Sequence, residues 1–577
     1  MMWRWQKHRL PTLVALLSSA IVSWGLTLGG RVAHCDSATG TWLCSVPRSL
    51  FGHDWTTTVA VDTAQHWIDV SINGRALWGD EPITFANIDA GSSYSITALD
   101  TVTHQLVKGN ICFTYLPILS LQGDFNNQYQ VSTVTMSWPD NVSSQPMLAR
   151  IKHRGATTNM PGRHKRNYHL KFINPDSSKM DRTFFGLRND NSWLLDAGQV
   201  DLLRIRNRVA TELWLDMCRK PYYADREPQA LLGVRGDYIE VFLNGKYQGF
   251  YALTEAMDRK QLKLAKYDEK NHTQHGMLWK TKQATDVALM RRYQDYDNNQ
   301  PTWQGIEVKY PDPDDVMPTD YEPLAHAIKF VMNSSPQEFI DHACEYFDLP
   351  VIMDYWIMIN TLLAVDNGAK NIYWLTYDQA TDSRLTLAAC DLDCTVGQNW
   401  INTPPHNSDI VGPERQLNFF NNLLLRLHER NPDNYCIKTV ERYRQLRQGI
   451  LSTDSIYQRY HNRIEWLKGC GALDRETRRW SGDSDLSGCQ LDFDAELAYM
   501  RQWLDIHLNK LDNTRFRPYV HGDINRDGNV DIGDINSLIN KILHQDRPTW
   551  YEDLSHDFTY DIADINLLIN IMLYRNI

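Results

Sequence analysis

The chain lacks most of the features that would commit it to a common binding chemistry. It has no basic excess: 59 Lys and Arg stand against 70 Asp and Glu, for a formal net charge of −11. That sign is wrong for a general nucleic-acid binder. No C-x-x-C pair or His/Cys spacing of zinc-ligand type occurs, which removes the usual structural-zinc reading. Neither a G-x-G-x-x-G loop nor a G-x-x-x-x-G-K loop is present, so no motif announces a phosphate cradle. Beyond residue 31 no apolar run is long enough to span a bilayer.

What is present begins with size. At 577 residues the chain exceeds one core, and two to four domains are expected. Its 42% hydrophobic and 22% charged content is ordinary for a globular protein. Arg4, Lys7 and Arg9 precede an apolar stretch over 10–30 that ends in small residues, the pattern of an export signal. The expected signal covers 1–34 and places the protein outside the cell or on its surface; a retained membrane anchor is the alternative. No other membrane contact is expected. Ten cysteines, an even number in an exported chain, permit disulfides. Cys470 and Cys489 flank a polar loop and are the favoured pair.

Residues 36–115 carry short alternating runs such as Trp67-Ile-Asp-Val-Ser-Ile72, punctuated by Gly and Asn. They predict a β-sandwich-like N-terminal module. From 116 to about 350 the signals mix: strands over 129–138, 147–152 and 168–172, and a helix over 200–217. A hairpin of 238–242 with 249–254 is expected around Asn244-Gly245. From 349 onward apolar residues recur at helical spacing over 351–364, 416–429, 435–448, 455–468 and 494–512. The fold class is therefore multidomain α+β, with a mixed first lobe and a largely helical second lobe over 116–515.

The tail, 519–577, is different. Asp523, Asn525, Asp527, Gly528, Asp531 and Asp534 fall at positions 1, 3, 5, 6, 9 and 12 of an EF-hand-like calcium loop. Ca²⁺ takes six to eight oxygens, and this spacing supplies them around a sharp Gly turn. Asp534 stands where that pattern usually closes with Glu. About thirty residues on, Asp553, Ser555, Asp557, Asp561 and Asp564 repeat the arrangement, with Phe558 in the place of Gly. Each unit then reads D-I-N-x-L-I-N. The pair resembles a type I dockerin, an all-α module folded around two Ca²⁺ ions. The resemblance implies attachment to a cohesin-bearing scaffold; a calcium-stabilised cap without a partner is the plainer alternative.

The most informative window is 365–397. It reads V-D-N-G-A-K-N-I-Y-W and then, beyond an expected hairpin of 372–377 with 384–389, C-D-L-D-C-T-V-G. Asp366 and Asn371 stand five positions apart, and Asp391 and Asp393 follow the hairpin. A carboxylate, a nearby amide and a further acidic group can orient a hydroxyl and hold Mg²⁺ (or Mn²⁺) on phosphates. Asp366 is then the proton acceptor with Lys370 beside it; Asn371, Asp391 and Asp393 are the metal candidates. Phosphates also need cations, for which Arg154, Lys171 and Lys280 are candidates, with Glu255 as an ion-pair partner for one lysine. Singly, each of these has a bland account: a helix-terminal Asp, a turn Asn, a solvated Lys.

Five stretches in order strengthen the window. They are Ile151-Lys-His-Arg-Gly-Ala-Thr-Thr158 with Asn167-Tyr-His-Leu-Lys171; Phe185-Gly-Leu-Arg188 with Trp193-Leu-Leu195 and 203–213; Val241-Phe-Leu-Asn-Gly-Lys-Tyr-Gln-Gly-Phe-Tyr-Ala-Leu-Thr-Glu255; and the Asp366 and Asp391 motifs. Together they resemble the spore-coat-protein-H (CotH-like) family of atypical kinases over about 117–515. The resemblance implies transfer of the ATP γ-phosphate to Ser/Thr of extracellular or surface proteins, with Mg²⁺ or Mn²⁺ on the phosphates. The sequence departs from the family at Ala389-Cys390, where Trp or Pro–Trp commonly precedes the metal-binding Asp. Cys390 and Cys394 flank Asp391 and either pair or stay free. The rival readings are a catalytically inactive kinase-like interaction protein and a dockerin-borne carbohydrate-active enzyme. The latter needs a carboxylate pair across a cleft, and the sequence has no glycosidase signature.

Overall fold

The computed structural model describes residues 25–142, 145–399, 406 and 421–574. Most of the expected export signal and the start of the helix expected over 416–429 lie outside the described residues. The chain divides into two compact units that it enters more than once: Met1–Arg204 with Arg235–Ala256 and Asn462–Phe493, and Ile205–Val234 with Met257–His461 and Asp494–Ile577.

The first unit opens with the N-terminal module. Its main sheet has eight strands in the order Val59–Val61, Leu26–Leu28, Arg31–Asp36, Thr41–Ser45, Leu106–Thr114, Tyr94–Asp100, Trp67–Ile72 and Arg75–Ala76. A small second sheet pairs Trp55–Thr57 with Ile83–Phe85. Trp42, Phe85, Tyr94 and Phe113 fill the shared core, in edge-to-face contacts with centroids 5.1–5.6 Å apart for the Phe85, Tyr94 and Phe113 rings. The module starts earlier than the expected residue 36. Leu26 and Leu28 are fully buried strand residues although their apolarity reads as part of a leader.

After it, seven strands close into a barrel: Ile118–Gln122, Gln130–Ser137, Met147–Arg154, Asn167–Ile173, Ser192–Asp196, Lys246–Glu255 and Gly236–Leu243, which returns in parallel to the first. Inward residues such as Ile151, Leu170, Trp193, Leu195 and Tyr251 form its core. The Asn244-Gly245 turn forms as expected, with φ of 48° and 70°. Positive φ at both central residues is the primed geometry whose twist matches the strands. Helix Ala472–Trp480 lies on strand Lys246–Glu255, where Trp480 Nε1 donates to the Gln248 carbonyl at 2.8 Å. Beneath it Glu476 takes both Lys165 (2.7 Å) and Arg204 (2.9 Å) in a fully buried cluster. Burial pulls the Lys165 ammonium down to about 8, with Glu476 opposing.

The second unit has a five-stranded sheet in the order Thr302–Trp303, Ile306–Tyr310, Met277–Thr281, Ile372–Thr376 and Thr386–Ala389. Helices Arg206–Met217, Glu322–Asn333, Pro336–Tyr346, Leu349–Thr361, Asn422–Arg430 and Tyr435–Arg447 accompany it. The terminal helices Ile532–His544 and Ile562–Tyr574 share a small core of Ile524, Leu538, Leu554 and Leu568. Helices Glu322–Asn333 and Pro336–Tyr346 were not anticipated. Among the described residues no helix is long and apolar enough to cross a membrane.

The expected Cys470–Cys489 disulfide is not formed; both residues are free thiols. Cys470 is buried inside the first unit, with its thiol donating to the Leu467 carbonyl at 3.2 Å. Cys394 is likewise a free thiol, and the Cys390 thiol donates to the Asn371 carbonyl at 3.3 Å.

Candidate functional site

Helix Leu349–Thr361 is buried at every residue but Pro350, so the turn that follows it starts from a fixed position. Asp366 lies in that turn with its side chain 14% exposed. Its Oδ2 accepts from Lys370 Nζ at 2.6 Å and from Asn371 Nδ2 at 3.0 Å. Asp366, Lys370 and Asn371 therefore meet in one turn. Burial pushes the Asp366 carboxyl above its ordinary value, with the hydrogen bond and charge of Lys370 opposing and the Asp391 charge adding to the rise.

Backbone bonds hold the two halves in register. Asn371 N donates to the Thr281 carbonyl at 2.9 Å and Ile372 N to Thr281 Oγ1 at 3.1 Å. Cys390 N donates to the Asn371 carbonyl at 3.3 Å. Buried Asn367 spans the turn, its Nδ2 donating to the Cys390 carbonyl at 2.8 Å, while Tyr355 donates its hydroxyl to the Asn367 carbonyl at 2.6 Å. The hairpin Ile372–Thr376 with Thr386–Ala389 thus returns Asp391 beside Asn371. Both residues sit at φ of 60°, in the left-handed region that Asn and Asp enter more readily than most side chains.

Beyond Asp391 the chain alternates: Asp391 is exposed, Leu392 is buried and Asp393 is half-buried. Helix Arg206–Met217 fixes this segment from its first turn. Asn207 Oδ1 accepts from Leu392 N at 2.9 Å, and Arg206, fully buried, donates to the Thr395 carbonyl at 3.1 Å and pairs with Glu496 at 2.7 Å. Cys394 is held well above the usual thiol range, by burial first and then by the Asp393, Asp366 and Asp391 charges. Asn207, Thr281 and Asn367 were not singled out from sequence; each acts through a contact that joins distant segments.

The cation candidates divide between the units. Lys280 shares the second unit, in the strand beside Ile372–Thr376 and directly opposite Tyr373, whose ring its ammonium overlies at 5.5 Å. Arg154 and Lys171 belong to the barrel of the first unit; Lys171 overlies the Tyr129 ring at 5.0 Å, as Lys152 does at 4.4 Å. Glu255, fully buried, pairs with Arg235, whose Nη2 donates to it at 2.6 Å, and accepts from Arg188 N at 3.3 Å.

A family model described as CotH kinase protein matches residues 151–509. That span exceeds half of the 577 residues. The chain belongs to the CotH kinase protein family. A search of curated proteins finds no match. The CotH match contains the whole Asp366–Asp393 constellation and both units' cation candidates, and it ends before the C-terminal repeat.

In that repeat the two loops have the same internal bonding. Asp523 accepts from the amides of Asp527 and Gly528, and Asp553 from those of Asp557 and Phe558. Asp534 accepts from Asn525 N and Asp531 N, and Asp564 from Ser555 N and Asp561 N. These four acids are at most 2% exposed. Asp527 and Asp557 lie at the loop tips, where each takes an amide two residues on. Phe558 adopts φ of 66° where Gly528 has 97°, and the Arg430 guanidinium lies over its ring at 5.7 Å.

Proposed function

We propose that the protein is an exported CotH-type kinase that transfers the γ-phosphate of ATP to Ser or Thr hydroxyls of extracellular or surface proteins. The observation that carries the proposal is the meeting of Asp366, Lys370 and Asn371 in one turn, with Asp391 close enough to perturb the same carboxyl. Asp366, raised by burial, takes the proton of the attacking hydroxyl. The hydroxyl oxygen bonds to the γ-phosphorus as the bond to the β-phosphate oxygen breaks, leaving ADP and a phosphoester. Lys370 restrains Asp366 and supplies positive charge beside it, and Lys280 is the cation assigned to phosphate oxygens.

The residues fit a hard divalent ion. Asn371 donates through its Nδ2, which leaves its carbonyl oxygen for a metal, and Asp391 is an exposed carboxylate. Mg²⁺ or Mn²⁺ there neutralises the charge of the transferring phosphate. Asp393 is the reserve ligand. Purified protein incubated with labelled ATP and Mg²⁺ or Mn²⁺ is expected to phosphorylate itself or an added protein. Asp391→Ala is expected to lower that labelling by a factor of about 10³ or more. Full labelling by the variant overturns the assignment, and absence of any ATP·Mg²⁺-induced thermal shift in the native chain supports the inactive, interaction-only alternative.

We further propose that the C-terminal repeat is a calcium-binding dockerin-type module that attaches the kinase to a cohesin-bearing scaffold. The carboxylate-rich loops suit Ca²⁺. The equivalent positions Ile532 and Ile562 (64% and 66% exposed) and Leu543 and Leu573 (72% and 64%) form a duplicated apolar face, which supports a docking role.

A further inference from the structure

The first unit holds a cluster that phosphotransfer does not use. Among the described residues, one group of three His, Cys, Asp or Glu side chains has ligand atoms all within 4.8 Å of one another: His164, Asp483 and Asp485. They come from the turn that leads into strand Asn167–Ile173 and from the short turn around Ser484–Leu486, and so are joined only by the fold.

Each carboxylate is aimed by the backbone through one oxygen. Asp485 Oδ2 accepts from His164 N at 2.9 Å and Lys165 N at 2.8 Å. Its other oxygen is buried without a hydrogen bond, in a residue only 2% exposed. The nearest cation, Arg163 Nη1, lies 3.7 Å from that oxygen, outside hydrogen-bond range. Asp483 Oδ1 accepts from Asp485 N at 2.8 Å, and its Oδ2 faces His164 Nδ1 at 2.9 Å. The His164 side chain is 53% exposed, which leaves solvent access on its side. Oriented carboxylates with one oxygen tied to amides are the support that metal sites require. A buried carboxylate oxygen without a donor costs free energy that a bound cation would offset.

We propose that His164, Asp483 and Asp485 form a binding site for a borderline divalent cation, Zn²⁺ foremost, completed by water on the exposed side. The imidazole sets the class: Mg²⁺ and Ca²⁺ prefer all-oxygen sets, whereas nitrogen with carboxylate suits Zn²⁺ and its neighbours. Zn²⁺ bonds of about 2.0–2.2 Å span such a triad after a small inward shift. The ion ties the turn at 163–165 to that at 483–485. It thereby braces Lys165, whose ammonium is already committed to Glu476. Its role is structural and separate from the Asp391 metal.

Co²⁺ as a spectroscopic probe, with Zn²⁺ calorimetry, tests this on the full chain. The native protein is expected to give the intense visible bands of low-coordinate Co²⁺ with a nitrogen ligand, since the carboxylate-only loops and the Asp391 group yield pale six-coordinate spectra. His164→Ala and Asp483→Asn are expected to lose those bands and weaken Zn²⁺ binding at least ~10-fold, while Asp391→Ala keeps both. His164 is half-exposed, so its replacement leaves the fold intact, which circular dichroism checks. Unchanged bands and an unchanged Zn²⁺ isotherm in His164→Ala overturn the proposal, as does a native protein without such bands.

Discussion

At the scale of single residues, Asp366 is pulled in two directions, and the sign of each has a measurable consequence. Burial and the Asp391 charge raise its pKa; Lys370 and Asn371 oppose the rise. A general base works only when ionised, so the acid limb of the pH–rate profile is expected above the ordinary carboxylate value of about 4. Lys370→Met removes an opposing contact and is expected to move that limb further up, with a lower maximal rate. A limb that stays in place removes Lys370 from the site. Stability runs the other way. A carboxyl whose folded pKa is raised stabilises the fold while protonated, below its unfolded value, and that contribution is lost as pH rises through the folded value. Asp366→Asn is therefore expected to abolish phosphotransfer and yet raise the melting temperature near neutral pH. Scanning calorimetry of the two proteins across pH checks it; a variant that melts lower than the native chain shows that the Lys370 pair outweighs the burial cost.

At the scale of elements, the site is two strands and two helix ends tied by a handful of hydrogen bonds. Asn207 at the start of helix Arg206–Met217 holds Leu392 N, and so sets where Asp391 and Asp393 point. Asn207→Ala is expected to cost about 1–3 kcal/mol by leaving that amide unpaired and to raise the Mg²⁺ concentration needed for half-maximal activity. Unfolding curves and a Mg²⁺ titration read the two effects separately. Local patterns announced much of this: the Asn244-Gly245 hairpin, helix Leu349–Thr361 and the hairpin that carries Asp391 all follow from spacing and turn residues. The closed barrel was not legible, because closure rests on the parallel pairing of Ile118–Gln122 with Gly236–Leu243, strands more than a hundred residues apart. Asn207, Thr281 and Asn367 escaped for the same reason: an ordinary polar residue becomes a positioning group only through a partner elsewhere in the chain. The two loops of the tail differ in one legible residue. Phe558 holds a positive φ that Gly528 adopts without a Cβ penalty, so the first loop is expected to bind Ca²⁺ more tightly. Terbium luminescence should then fall more steeply for Asp523→Ala than for Asp553→Ala.

At the scale of the molecule, the tail is built into the second unit and does not hang from it on a tether. Trp550 N donates to the Glu429 carbonyl at 2.8 Å, and Arg430 Nη1 to the Pro548 carbonyl at 3.1 Å while its guanidinium covers Phe558. Phe516 stacks on Tyr443 with centroids 3.9 Å apart, and Tyr519 meets Trp550 edge to face with centroids 4.9 Å apart. A cavity of about 410 Å³ remains where Glu429, Asn431 and Gln337 face Trp550, Asp553 and Phe558, so the seam has room for water but keeps its aromatic anchors. Each anchor that leaves water contributes about 1.5–3 kcal/mol, and the helices it covers lead through the His428–Trp356 contact to helix Leu349–Thr361 and Asp366. Deleting 519–577 is therefore expected to destabilise the remaining chain by on the order of 3 kcal/mol, because Glu429 and Arg430 lose their cover together. Spatial adjacency alone does not make a coupling, which is why the readout is stability and not activity. One cooperative transition in the full chain, and a lower one after deletion, is the expected result. A truncated protein that melts where the full chain does would mean that the tail is carried by the kinase lobe without supporting it.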